Sequence, residues 1–278
     1  MRKATINRFG LVLLTTLLPA FVSAQTNLMG YWVPIYHEDN IERLPGPAIG
    51  DYGGLPINDA ARLRAQSWDA SLLSMPEHQC KPHPSTYGFR GVGTLRVWED
   101  RDPESQQLVA INTHIEWQEQ RRKIWMDGRP HPPEHAPHSW QGFSTGEYEA
   151  GVLVVKTTHL KAGWIRRNGL PLSDQATMTD RFHRYDDILS HVTIVEDPVY
   201  LTEPLVKTNL FRLTPSGVMT PYPCEAVNET TTLPGDVPHW LPGENPYIRD
   251  FAEEHGLTLE AAMGGAETAL PEFQERMQ

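Results

Sequence analysis

The sequence predicts a mainly β protein whose strands close into an antiparallel barrel. Apolar and polar residues alternate in short runs between residues 94 and 213. Gly, Asp and Pro turn chemistry separates the runs, and the links at 118–120 and 186–188 are very short. Links of that length suit antiparallel hairpins and leave no room for crossover helices. The expected strands are 94–99, 108–117, 121–127, 147–158, 177–185, 189–195 and 205–213. Closure of seven or so such strands removes exposed edges; a β-sandwich is the alternative.

The flanks differ in pattern. Residues 25–93 form an N-terminal extension with one predicted helix over 57–73, capped by Asn58 or Asp59 and stopped by Pro76. The barrel occupies 94–240. The tail, 241–278, carries helical segments at 246–255 and 259–263 and is placed to cover one barrel end. Period-two alternation sorts each strand into two faces. It sets Ile111, Thr113 and Ile115 against Asn112 and His114, without stating which face is inward.

Residues 1–24 have the grammar of an export signal. Arg2, Lys3 and Arg8 precede an apolar run from Leu11 to Val22, and Val22-Ser23-Ala24 is a small-residue cleavage pattern before Gln25. The expected location is therefore periplasmic or secreted, with no membrane span after processing. Loss of the leader moves the formal charge from −11 to about −14. An acidic chain without a basic run is a poor partner for nucleic acid or anionic lipid. In an oxidising compartment its two cysteines, Cys80 and Cys224, are expected to pair.

The candidate chemistry concentrates between residues 121 and 198. Asp127-Gly128-Arg129 with His131 places an anion-binding guanidinium beside an imidazole that titrates near neutrality. His114, Glu116 and Glu149 are the other candidate acid–base or orienting groups. Trp117, Trp125, Trp140, Tyr148, Arg181 and His183 are candidates for substrate binding. Of Arg121-Arg122-Lys123, a surface charge cluster, one Arg is a candidate to turn inward. Gly142-Phe143-Ser144-Thr145-Gly146 matches a nucleophile-elbow pattern, but a β-branched strand follows where a helix is required, so the context rejects it. His131, His135 and His138 could hold a divalent metal, zinc or copper. The prolines between them splay the imidazoles, and a solvated loop is the simpler reading.

The run D-G-R-x-H-P (127–132), then W-x-G-x-S-x-G-x-Y-E (140–149) and L-V-V (153–155), resembles a widespread group of secreted, mostly uncharacterised bacterial proteins. The likeness extends to Cys80 and Pro82, Glu116, Arg122, Ser173-Asp174, Asp197-Pro198, and Cys224 with Asn228, and covers roughly residues 76–230. The resemblance implies a lipocalin- or calycin-like periplasmic barrel and brings no agreed activity. The chain departs from the group at Tyr148, where Trp is usual, and at Ala150-Gly151-Val152, where Gly-Asp-Thr is usual.

Three functions compete on this reading. The leading one is a cofactor-independent enzyme of lyase, hydratase or isomerase type. In it His131 or His114 moves a proton, Arg129 holds an oxyanion, and Asp127, Glu116 or Glu149 orients the imidazole. The second is a binding protein for an apolar or aromatic small molecule. The third is a metal-dependent hydrolase or oxygenase using the His-rich loop.

Overall fold

The computed structural model describes residues 26–36, 46–228, 232–233 and 235–275. The predicted leader lies outside them. Nine strands close into a barrel: β1 (Gly30–Ile35), β2 (Leu95–Arg101), β3 (Leu108–Ile115), β4 (Gln120–Trp125), β5 (Phe143–Glu149), β6 (Val152–Thr158), β9 (Thr177–Tyr185), β10 (Ile188–Glu196) and β11 (Leu205–Leu213). A separate two-stranded ribbon joins β7 (Gly163–Trp164) to β8 (Pro171–Leu172). The ring order is β1-β11-β10-β9-β6-β5-β4-β3-β2, and β1 pairs with both β11 and β2 to close it. Neighbours are antiparallel except β4 and β5, which run parallel.

The predicted β-barrel is therefore present, with corrections. Two strands keep their predicted bounds (177–185 and 205–213). The single strand expected over 147–158 is a hairpin. Ala150 and Gly151 take φ of 49° and 86° and form its two-residue turn. Left-handed backbone at both positions matches the twist of the flanking strands; an Ala in the first position hides the signature that Asn-Gly would show. Gly30-Tyr31-Trp32, placed from sequence in the extension outside the barrel, belongs to the closing strand. Gly146 lets β5 approach β4, since a Cβ there would lie 2.8 Å from Ile124 Cγ2 and Met126 Sδ.

The helix expected over 57–73 is shorter. Asn58 caps α1 (Asp59–Gln66) by accepting from Ala61 N, but Asp69 captures Ser71 N and starts a separate 3-10 turn, Ala70–Ser74. Pro76 opens α2 (Pro76–Gln79) where it was expected to end a helix, as its missing N–H allows at a first turn. Next comes α3 (Ser85–Gly88). In the tail, a 3-10 turn (Pro246–Arg249) leads into α4 (Asp250–His255), followed by α5 (Leu259–Met263) and α6 (Pro271–Glu275). Tyr52 N bonds Ala262 O at 2.9 Å and Arg62 Nε bonds Gly264 O at 2.7 Å. The tail thus clasps the N-terminal extension, which itself packs on the barrel.

The barrel interior is layered. Along β10 the inward residues read Leu189, His191, Thr193, Val195; along β9 they read Phe182, Asp180, Met178; along β11, Phe211, Asn209, Lys207, Leu205. One apolar layer gathers Trp32, Leu95, Ile111, Ile124, Leu153, Phe182 and Phe211. The other joins Met178, Val195 and Leu205 to Tyr52, Ile57 and Ala61 of the extension. Between them lies a polar belt.

Cys80 and Cys224 form a disulfide across 144 positions of sequence. It anchors the exposed segment that follows β11. That segment is also held by Val227 N to Gln79 Oε1 at 2.6 Å and Tyr222 N to Glu119 Oε1 at 3.2 Å. Replacing both cysteines by serine is expected to lower the unfolding free energy by about 2–5 kcal/mol in urea titrations. An unchanged midpoint would show that closing this loop contributes nothing.

Candidate functional site

The belt is built from inward positions of six strands. Asp180 is 1% exposed, with Oδ2 2.7 Å from Arg122 Nη2. Its Oδ1 accepts from His191 Nε2 at 2.8 Å and from Thr193 Oγ1 at 3.0 Å. Since His191 Nε2 carries the proton, Nδ1 accepts from Asn209 Nδ2 at 3.1 Å. Arg122 Nε donates to Ser144 Oγ at 2.9 Å and Nη2 donates to Thr157 Oγ1. Burial opposes the Asp180 charge, but Arg122 and the His191 hydrogen bond outweigh it and hold the carboxyl at about 2. Burial pushes the His191 pKa down against the pull of Asp180, so the imidazole is neutral. The belt is one ion pair set among hydroxyl, imidazole and amide side chains.

The wall beside Arg122 is thin. β4 and β5 share only two residue pairs, Ile124↔Ser144 and Trp125↔Thr145. The start of β4 therefore has no ladder partner on its β5 side, and a groove of about 490 Å³ opens there. Trp125, Trp140 and Phe143 give it aromatic walls, with Arg121 and Lys123 at the rim. Lys81 and Lys161 lie 5.0 and 5.4 Å from the Trp140 ring centre, and Arg129 lies 3.4 Å from that of Trp125. Gln120 and Gln141 form its inner partition, joined by a long 3.4 Å bond. Behind them is a cavity of about 10 Å³, lined by Ser85, Thr113, Gln120, Gln141 and Arg122 on its polar side and by Gly88, Phe89 and Ile115 on its other side. That is room for one water.

The residues singled out from sequence scatter around this site. Asp127 and Arg129 form a surface ion pair, which lowers the Asp127 pKa, and Arg129 stacks on Trp125. His114 points out of the barrel, 2.9 Å from Glu119 Oε2. Glu116 accepts the Thr94 and Thr220 amides, which overcome its desolvation and keep its carboxyl below the usual range. Glu149 faces Arg181 across 3.6 Å, and His183 packs on Tyr185. Trp117 is buried under His83, and Tyr148 packs into the barrel core with its pKa raised to about 12 by burial. Trp125 and Trp140 are the two predicted binding residues that the fold brings together.

His131 belongs to a directed chain of hydrogen bonds. The Pro133 carbonyl can only accept, so His159 Nε2 donates to it at 3.0 Å and His159 Nδ1 accepts from Thr158 Oγ1 at 2.7 Å. Thr158 then accepts from His131 Nδ1 at 2.7 Å, and His131 Nε2 accepts from Thr145 Oγ1 at 2.8 Å. Both nitrogens of His131 are engaged, and burial, with His159 and Lys156 nearby, lowers its pKa. His138 donates Nδ1–H to Leu160 O at 2.8 Å, which in the neutral ring leaves Nε2 as the acceptor. It lines an open cleft of about 780 Å³ with His131, Glu134, His159 and Asp174. His135 stays exposed, so the proposed ligand set of His131, His135 and His138 is not assembled. Among the described residues no three His, Cys, Asp or Glu side chains form a metal-holding group.

The chain matches no family model, no curated protein and no solved structure.

Asp180 and His191 lie in the strands expected over 177–185 and 189–195 but were not among the candidate site residues, because a polar residue within an alternating strand ordinarily faces water. Asp180→Asn is expected to cost about 3–5 kcal/mol at neutral pH by leaving Arg122 buried without its counter-charge. The folded pKa of Asp180 is depressed, so its contribution is complete above the unfolded value of about 3.9 and is lost as pH falls towards 2. Urea titrations from pH 6 to 2 should show the wild-type advantage shrinking by ~2–3 kcal/mol below pH 4. A constant gap would mean that folding does not depress the Asp180 pKa.

Proposed function

We propose that the protein is an exported small-molecule binder that takes a planar aromatic ligand in the groove over the β4–β5 seam. The observation that carries this is the convergence of Trp125, Trp140 and Phe143 on one open concavity at the thinnest part of the wall. Aromatic walls with a few placed polar groups are the usual composition of a ligand pocket. The two apolar layers fill the barrel ends, which favours a ligand seated at the wall over one enclosed centrally. Asp180 Oδ1 and both nitrogens of His191 are engaged within the belt, which favours binding over turnover at this place.

A second reading, proton transfer of isomerase or lyase type, is supported by His138. Its tautomer leaves an unprotonated Nε2 on a residue lining the 780 Å³ cleft near Glu134 and Asp174. An imidazole in that state is a competent base.

Quenching of Trp fluorescence by 2-naphthol tests the first reading. Saturable binding should weaken roughly tenfold in Trp125→Ala and in Trp140→Ala, about 1.4 kcal/mol each, and Trp98→Ala should leave it unchanged. Equal affinity in the Trp125/Trp140 double variant would end the groove reading. For the second, wild-type protein in D2O should speed deuterium uptake beside the carbonyl in a panel of small ketones and aldehydes. His138→Gln should abolish the effect, and exchange no faster than in buffer would remove this reading.

A further inference from the structure

The cations around the groove are not all alike. The protein is acidic, at −11 overall; Arg121 is paired with Glu119, which also lines the groove, and Lys123 with Asp100, whereas Lys81 and Lys161 both face the Trp140 ring. Lys81 and Lys161 share one indole and repel each other, which, after burial, is the second cause of the lowered Lys81 pKa. One buried donor is also left over. Arg122, whose side chain is 3% exposed, uses Nε and Nη2 for the belt, while Nη1 has no hydrogen-bond partner. Leaving a buried charged donor unsatisfied costs more than most unmade hydrogen bonds, so such a group is a marker for a missing acceptor.

That acceptor has a place. Arg122 lines the one-water cavity together with the hydroxyl residues Ser85 and Thr113. Only Gln120 and Gln141, in 3.4 Å contact, are common to the linings of the cavity and the groove. A carboxylate oxygen is about the size of the water that fits there, and a guanidinium is the side chain best suited to receive it.

Resting on the groove reading, we infer that the ligand is an aromatic carboxylate. Its ring lies between Trp125, Trp140 and Phe143, and one carboxylate oxygen passes the Gln120–Gln141 partition to meet Arg122 Nη1. The rim lysines raise the local concentration of such anions, and Arg122 provides the terminal contact. A neutral amide of the same shape can offer Nη1 only an uncharged carbonyl oxygen, so the contact it makes lacks the charge assistance of the carboxylate.

Calorimetric titration of the full chain with its disulfide intact, using 2-naphthoate and 2-naphthamide, tests this. The acid should bind at least tenfold more tightly than the amide, and most of that ratio should persist in 0.5 M NaCl, because a buried contact is screened far less than a rim charge. Thr113→Val removes a cavity hydroxyl at near-constant volume, and Gln120→Glu places a carboxylate of the protein's own beside the cavity. Both should weaken the acid at least threefold, and the acid-to-amide ratio should fall with it; they avoid removing Arg122, on which folding depends. Equal binding of acid and amide, or a preference abolished by salt or by Lys81→Met with Lys161→Met yet untouched by Thr113→Val and Gln120→Glu, would overturn the Arg122 contact while the groove survives. Failure of both probes to bind would overturn the groove reading with it.

Discussion

A single ion pair inside the barrel, Arg122 with Asp180, constrains everything around it. Removing two charges from water costs several kcal/mol per ion, and attraction alone repays this only when further hydrogen bonds complete both partners. Here Ser144, Thr157, His191 and Thr193 supply those bonds from β5, β6 and β10. The pair therefore ties β4 to strands that are not its neighbours. A one-residue slip in β9 would turn Asp180 outwards and leave Arg122 alone in the interior, so the belt specifies register as strongly as the apolar layers do.

The parallel seam follows a different logic. Antiparallel neighbours can be joined by two residues, whereas parallel ones need a long return. The chain between Trp125 and Phe143 makes that return across the outside of the barrel. It carries the Asp127–Arg129 pair, His131, His138 and Trp140. Its Pro-rich composition keeps it extended, and His131 latches it to Thr145 and Thr158. The exceptional strand pair is thus the reason that a groove, a partition and a thin wall occur in one place.

Several acidic side chains that look catalytic in isolation serve the chain after β11. Glu116 and Glu119 accept backbone amides from residues 220 and 222 on that exposed segment, and the Cys80–Cys224 bond lies just beyond. Without a ladder partner of its own, such a segment needs side-chain acceptors to satisfy its N–H groups. Their role is that of clamps, and the same Glu119 also faces His114 and Arg121.

The barrel class, most strand positions, the two antiparallel hairpins at 118–120 and 186–188 and the residues of the disulfide could be read from the sequence, because alternation and turn chemistry are local. The rejection of the Ser144 elbow was legible for the same reason: the residues after Gly146 are strand formers. Trp125 and Trp140 could be nominated as aromatic, but not placed together. The inward face of each strand, and with it the Arg122–Asp180–His191 belt, was decided by closure, since a period of two offers two faces and only the ring of neighbours selects one. Closure also made β4 and β5 parallel, a relation between distant segments that no local pattern encodes.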